Sequence, residues 1–363
     1  MVATRRSTTA AAAAQAPRKS SVKNTRLSPK ADEEFESDDE AQRTRATRNR
    51  RNNKSSRKWW QRGYLSYSSF HEVPRYLQDN PDIHSYYRSG YSYMENWISV
   101  IHLHNETFNI WTHYVGFLLF VALAIFVRFI HPSLEEADAI TSLIPWAPIP
   151  LQPYTIADRN IIAGHLLASS FTFVTSGAFH MHLSHSFEAY TFYGCWDYSG
   201  ISATVAGSGI STTLYLLACE DTHVRFWVIL GVVAVNLVGV VGPIFPFWMT
   251  AEFRPVRAAI YVSTAVVTFA PAILHVALGR GVPAWSKNPA LSLFLGSCLA
   301  YVVGVFFYVS RVPERVFPGK FDLFFASHQI WHFAVVLASY LHVYVLIGLV
   351  AWRQEEGSCV TQL

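Results

Sequence analysis

The sequence predicts an all-α polytopic membrane protein, a bundle of seven transmembrane helices with a cytoplasmic N-terminus. Three observations predict it. The chain is 51% hydrophobic, more than half of its charged residues precede residue 100, and long segments beyond carry few or no charges. Apolar stretches of about 20 residues, the length that crosses a bilayer, recur at 109–131, 159–182, 196–218, 224–248, 257–278, 290–310 and 323–351. Basic residues concentrate in the N-terminal tail, which by the positive-inside bias places that end in the cytoplasm.

Residues 1–62 are expected to form a disordered, basic cytoplasmic tail. It is rich in Ala, Ser, Thr, Lys and Arg, with an acidic run from Asp32 to Glu40 and few large apolar side chains. Nine Lys or Arg lie between Arg43 and Arg62, beside Trp59 and Trp60. Such a segment suits anionic inner-leaflet lipids, at about 1 kcal/mol per basic residue near the surface. An ordinary positive-inside tail has the same composition. No folded nucleic-acid-binding module accompanies it, so nucleic acid is not an expected partner. The alanine run at Ala10–Ala14 is too short for a signal peptide, which leaves the first span as the targeting signal.

Residues 63–107 mix aromatics with polar groups, notably Tyr76–Pro81 and then Tyr86, Tyr87, Tyr91, Tyr93 and Trp97. This lead-in is predicted to lie at the interface as a short helix and turn. Residues 108–352 form the seven-helix domain, and 353–363 a short C-terminal tail outside the cell or in a lumen. The first outer loop, about 132–158, has no Lys or Arg. Arg254, Arg257, Arg311, Arg315 and Lys320 fall in inner loops, but Arg225, Arg280 and Lys287 fall in outer ones, so the tail decides the orientation. In the third span Ser199, Ala203, Gly207 and Ser211 recur every fourth residue; small residues on one stripe allow helices to approach closely. That span is expected at the bundle centre. Cys195 and Cys219 fall on opposite sides, and no Cys-x2-Cys spacing occurs among the four cysteines, so no disulfide framework is expected.

With this topology the second span ends near His180, the third starts with Asp197, and the seventh carries His328 and His332, all toward the inner leaflet. Ionisable groups at membrane depth are costly and are kept for function. The two residues of His328-x3-His332 share one helical face, and at 1.5 Å per residue they are expected roughly 7–14 Å into the seventh helix. Three neutral imidazoles with an open position suit Zn2+, bound at about 2.0–2.1 Å per nitrogen, and zinc lowers the pKa of a bound water to about 7. Asp197 could orient that water or accept its proton, and Ser176, one turn before His180, could hydrogen-bond a carbonyl or the water. The remaining histidines read more plainly. His165, His275 and His342 are expected to pack or snorkel in the outer halves of spans, and His102, His104, His113 and Glu106 to cap or anchor the first.

At these residues the chain resembles the progestin and adipoQ receptor family, which includes the hemolysin III-related and adiponectin-receptor-like proteins. The resembling segments are His104–His113 (HNETFNIWTH), Ser176–His180 (SGAFH), His185-Ser186, Asp197–Ile201 (DYSGI) and Ser327–His332 (SHQIWH), with Pro74–Asn80 (PRYLQDN) as lead-in. The likeness covers about residues 70–350 and is closest in character to fungal members. It departs at Ser184, where many members have Cys. The resemblance implies seven helices, zinc held by His180, His328 and His332, and Asp197 and Ser176 in the same pocket.

It also implies a hormone or lipid receptor, or a hydrolase of ceramide-like lipid amides; fungal relatives are linked to zinc and to sterol or lipid homeostasis. The leading expectation is a zinc-dependent intramembrane amide hydrolase with Asp197 handling protons and membrane lipids, ceramide-like or sterol-like, as substrate or ligand. The alternative is a signalling receptor with a purely structural zinc. A channel or metal transporter ranks below both, because no ladder of acidic or histidine side chains is evident across the spans.

Overall fold

A computed structural model describes residues 65–130, 154–250, 252–278 and 289–356. The predicted tail at 1–62 lies outside the described residues. Among the described residues two single 3-10 turns, Phe70–Glu72 and Arg75–Leu77, come first and lead to the short helix α1 (Tyr93–Ser99). Seven long helices follow: α2 (Thr107–Phe129), α3 (Ile156–His182), α4 (Phe187–Leu216), α5 (Thr222–Val241), α6 (Arg254–Ala277), α7 (Ala290–Ser310) and α8 (Ser327–Glu356). Each predicted span matches one of them.

Among the described residues six of these helices are long and apolar enough to cross a membrane; α4 falls short on composition. The reason is its position. It packs against α3, α5, α6 and α8 at the bundle centre, where Ser202, Thr204, Ser208, Ser211, Thr212 and Thr213 are buried. The outer surface has the opposite character: Leu118 and Ile125 of α2, Trp227 and Leu230 of α5, Val266 of α6, and Leu299 and Val302 of α7 are exposed. Apolar outside and hydroxyl-bearing inside is the polarity of a protein solvated by lipid. The small-residue stripe works as expected, since a Cβ added to Gly207 would stand 2.6 Å from the Ala168 Cβ of α3.

The first part of the lead-in packs over one end of the bundle. Val73, Leu77, Ile83 and Tyr87 are buried against Phe179 and Leu183 of α3 and Ala326 before α8, closing one end. Buried polar contacts hold it there. Asp322 accepts from the His84 amide at 2.9 Å and from Ser85 Oγ at 2.6 Å. Arg88 donates to the His180 carbonyl at 2.5 Å, the Met181 carbonyl at 3.1 Å and Ser99 Oγ at 2.7 Å. A guanidinium there satisfies the free carbonyls at the end of α3 and meets the negative end of its dipole.

Two expectations are corrected. The seventh long helix starts at Ser327 and not near 323, so His328 lies in its first turn and not five to ten residues deep. Turns occupy the preceding stretch, with Gly319 at φ +72 and Phe325 at φ +62. The helix is started by buried Glu314, which accepts from the Ser327 amide at 2.7 Å and from the Ser327 hydroxyl; a carboxylate at a helix N-terminus also meets the positive end of the dipole. Cys219 is disulfide-bonded, whereas no bridge was expected. Cys195 and Cys298 are free, so the partner of Cys219 lies outside the described residues.

Candidate metal centre and cavity

Because the long helices alternate in direction, the start of α2, end of α3, start of α4, start of α6, end of α7 and start of α8 meet at one end. Glu106, His113, Ser176, His180, Asp197, Arg254, Arg257, Tyr308, His328 and His332 line one cavity there, beneath the lead-in residues Leu77, Asp79 and Tyr87. The five residues singled out in the sequence therefore share a single site.

The three imidazoles are in contact. One ring nitrogen from each of His180, His328 and His332 lies within 4.8 Å of the others, and His180 and His332 are buried. His180 Nε2 and His328 Nε2 are 3.3 Å apart. His332 Nδ1 is buried with no hydrogen-bond partner. Neutral imidazoles whose free nitrogens converge in a buried space could hold a divalent metal ion. Asp197 faces them across the cavity, with the Ser176 hydroxyl beside its carboxylate.

Several groups that orient these side chains were not recognised from the sequence. Glu106, expected to cap the first span, makes no side-chain cap. Its carboxylate accepts from His180 Nδ1 at 2.7 Å and from Asn109 Nδ2 at 2.6 Å. Burial would raise the carboxyl's pKa, but the contacts with His180 and Asn109 outweigh it and hold the group below the ordinary carboxylate range. His113, likewise read as an anchor, stacks on His332 with ring centroids 3.9 Å apart. Arg254 and Arg257 counted only as loop charge, yet both are buried in the cavity wall. Arg254 pairs with Asp79 of the lead-in at 3.2 Å, and Arg257 donates to Tyr308 Oη at 3.0 Å. The available signal was depth: each lies within two turns of a helix end on the histidine side.

His165 and His342 pack against each other inside the bundle, ring centroids 4.9 Å apart. His182 and His185 stay at the end of α3, where Tyr93 packs against both rings.

Seven antiparallel helices with an apolar exterior and a buried histidine triad at one end define a heptahelical membrane protein with a candidate metal centre. The chain belongs to the haemolysin-III-related family, whose model matches residues 101–343. It is 30% identical over 291 residues to heptahelical transmembrane protein 1 of Arabidopsis thaliana, covering 80% of this chain and 82% of that protein. It is 29% identical to the adiponectin receptor protein of Drosophila melanogaster, over 85% of this chain and 64% of that one. It is 30% identical to progestin and adipoQ receptor-like protein 1 of Caenorhabditis elegans, over 79% of this chain and 62% of that one.

Proposed function

We propose that the cavity is the active site of a zinc-dependent intramembrane hydrolase acting on a ceramide-like lipid amide. One observation carries this reading: three converging imidazoles share a cavity with a carboxylate and a hydroxyl. Two nitrogens held tetrahedrally at about 2.05 Å from one ion stand about 3.3 Å apart, which is the spacing between His180 Nε2 and His328 Nε2. The unpartnered Nδ1 of His332 is the third free donor. A zinc ion bound there supplies Lewis-acid activation of water and of the scissile carbonyl.

The chain's own residues do the rest. Glu106 fixes the His180 tautomer with hydrogen on Nδ1, which leaves Nε2 free to bind. Asp197 takes a proton from the water attacking the amide carbon and returns it to the leaving nitrogen, so acid and amine form with no net proton change. Ser176 donates to the amide oxygen. Arg254 and Arg257, with Tyr308, form a cationic and hydroxyl-bearing wall suited to an oxygen-rich lipid head or a carboxylate product.

The site faces the cytoplasm in this reading, as the basic tail argues, and that tail meets anionic inner-leaflet lipids. The Cys219 disulfide supports this orientation, because it lies just past α4 at the end away from Asp197, and disulfides persist outside the reducing cytosol. The test is turnover of a ceramide by purified full-length protein, wild type against Asp197→Asn, with zinc measured in both. Turnover abolished with zinc retained is the expected result. Equal turnover by the two proteins overturns the mechanism.

A second reading is favoured by the distribution of the ligands. His180 sits on α3 and His328 and His332 on α8, so a metal would tie two helices of a signalling receptor without taking part in chemistry. Zinc bound by a protein with no lipid-amide turnover would favour that receptor.

A further inference from the structure

A second polar assembly lies deeper in the bundle, on the same two helices that carry the triad. His165 of α3 and His342 of α8 are buried. His165 Nε2 lies 3.2 Å from the Ser339 carbonyl, which can only accept, so that nitrogen carries the hydrogen. Nδ1 of the same ring then accepts from Ser208 Oγ at 3.2 Å. Thr212 donates its hydroxyl to the Ser208 carbonyl at 2.8 Å, so its oxygen accepts from His342 Nε2 at 3.2 Å. From α6 and α7 the rings of Phe269 and Phe294 meet His342, and Tyr301 reaches Ser339 Oγ. Among the described residues no charged side chain is hydrogen-bonded or ion-paired to either imidazole.

Further polar groups continue along the same helix faces on either side of the pair. Toward the cavity, Ser169 follows His165 by one turn; it is fully buried and its hydroxyl has no partner. One turn further, Thr172 lines the cavity and bonds Thr204 Oγ1 at 2.6 Å. Toward the other end, Tyr215 follows Thr212 by one turn and donates to Asp158 Oδ1 at 3.1 Å. Asp158 in turn accepts at 2.6 Å from Thr155, at the exposed start of α3.

We propose that this column is a proton path across the bundle, joining the triad cavity to the opposite face through the His165–His342 pair. Polar groups that only bind helices together are satisfied by one another. Here a buried hydroxyl at Ser169 is left open at the joint between cavity and pair, where a water would complete the chain. Each imidazole takes a proton on the nitrogen that carries none and gives one up to a neighbouring hydroxyl or water once the ring has turned from its present partner, so transfer leaves the column unchanged after the rings reorient. The path does not depend on whether the cavity hydrolyses a lipid.

The test uses full-length protein in phosphatidylcholine liposomes with a pH-sensitive dye inside, an imposed pH step, and valinomycin with potassium to compensate charge. The expected result is equilibration faster than in protein-free liposomes. It falls to the protein-free rate in His342→Gln, which keeps a hydrogen-bonding group but does not titrate, and slows in Ser169→Ala. Ser169→Ala removes a hydroxyl that bonds nothing, so it folds even if the histidine variant does not. Wild-type flux equal to protein-free liposomes overturns the proposal, as does wild-type flux in a folded Ser169→Ala protein.

Discussion

Glu106 and His180 come from different helices and meet at 2.7 Å, carboxylate oxygen to Nδ1. This contact decides which nitrogen of His180 is free. A carboxylate behind a metal-binding imidazole fixes its tautomer and raises its basicity, and removing such a partner lowers metal affinity about 10–100-fold. Glu106→Gln keeps the size and one accepting oxygen but loses the charge. Zinc titration of the purified variant should show weakening of that order with the helical content unchanged. Equal affinity in variant and wild type would mean that the contact only closes the cavity.

The lead-in is held across the cavity mouth by Asp79 and Arg254, 3.2 Å apart, with Arg311 donating to the Asp79 carbonyl at 2.9 Å. Burial acts to raise the Asp79 carboxyl, but Arg254 and Arg311 outweigh it and hold it below the ordinary range. A lowered folded value stabilises the attachment above the unfolded pKa of about 3.9 and is lost as pH falls through the folded one. The lead-in should therefore stay protease-resistant from neutral pH down to about pH 4 and open only below it. Asp79→Asn should loosen it at neutral pH, read as faster cleavage between residues 65 and 90 by limited proteolysis than in wild type.

Much of this was legible in the sequence because lipid solvation leaves a strong mark. Span lengths fixed the number of helices, alternation of direction brought His180, Asp197 and His328 to one end, and the His328-x3-His332 spacing put two ligands on one face. What was hidden depended on chain segments with no periodicity. The turns at 311–326 gave no signal for where α8 begins, so His328 was placed too deep. Glu106, Arg254 and Arg257 resembled boundary charges, since a charged residue at a helix end looks the same whether it faces water or a cavity. The His165–His342 pairing needed helix rotation, and α4, with hydroxyls around much of its surface, gave no apolar face from which to set it.

The close packing of α3 on α4 can be tested at Gly200. A Cβ there would stand 2.9 Å from the Thr172 Cα, a backbone atom that cannot rotate away. Thr172 also donates to the Gly200 carbonyl at 2.5 Å, and that contact requires the same approach. Gly200→Ala should destabilise the bundle by about 1–3 kcal/mol, the usual cost of forcing a methyl into a packed interior. Thermal unfolding in detergent measures it, with Gly164→Ala as the control, because a Cβ at Gly164 meets nothing within 4 Å. Gly164→Ala should be neutral or slightly stabilising, because alanine favours the helix over glycine; the same behaviour at Gly200 would show that the two helices do not need this separation.

Metal removal separates binding from chemistry. His180 closes the site from α3, and His328 and His332 close it from the first two turns of α8, so an ion bound by all three links helices that are far apart in the chain. A ligand bound only by the folded state stabilises it by about 4 kcal/mol when present at 1,000 times its dissociation constant. Stripping the protein with a chelator should lower the unfolding temperature, and zinc should restore it. Asp197→Asn should show the same zinc-dependent shift as wild type, because Asp197 lies across the cavity from the imidazoles and is not one of the three. His328→Ala should lose the shift, since two imidazoles remain. If chelation leaves the unfolding temperature of the wild type unchanged, the histidines are packed against one another without a metal, and both the hydrolase and the structural-metal reading fail together.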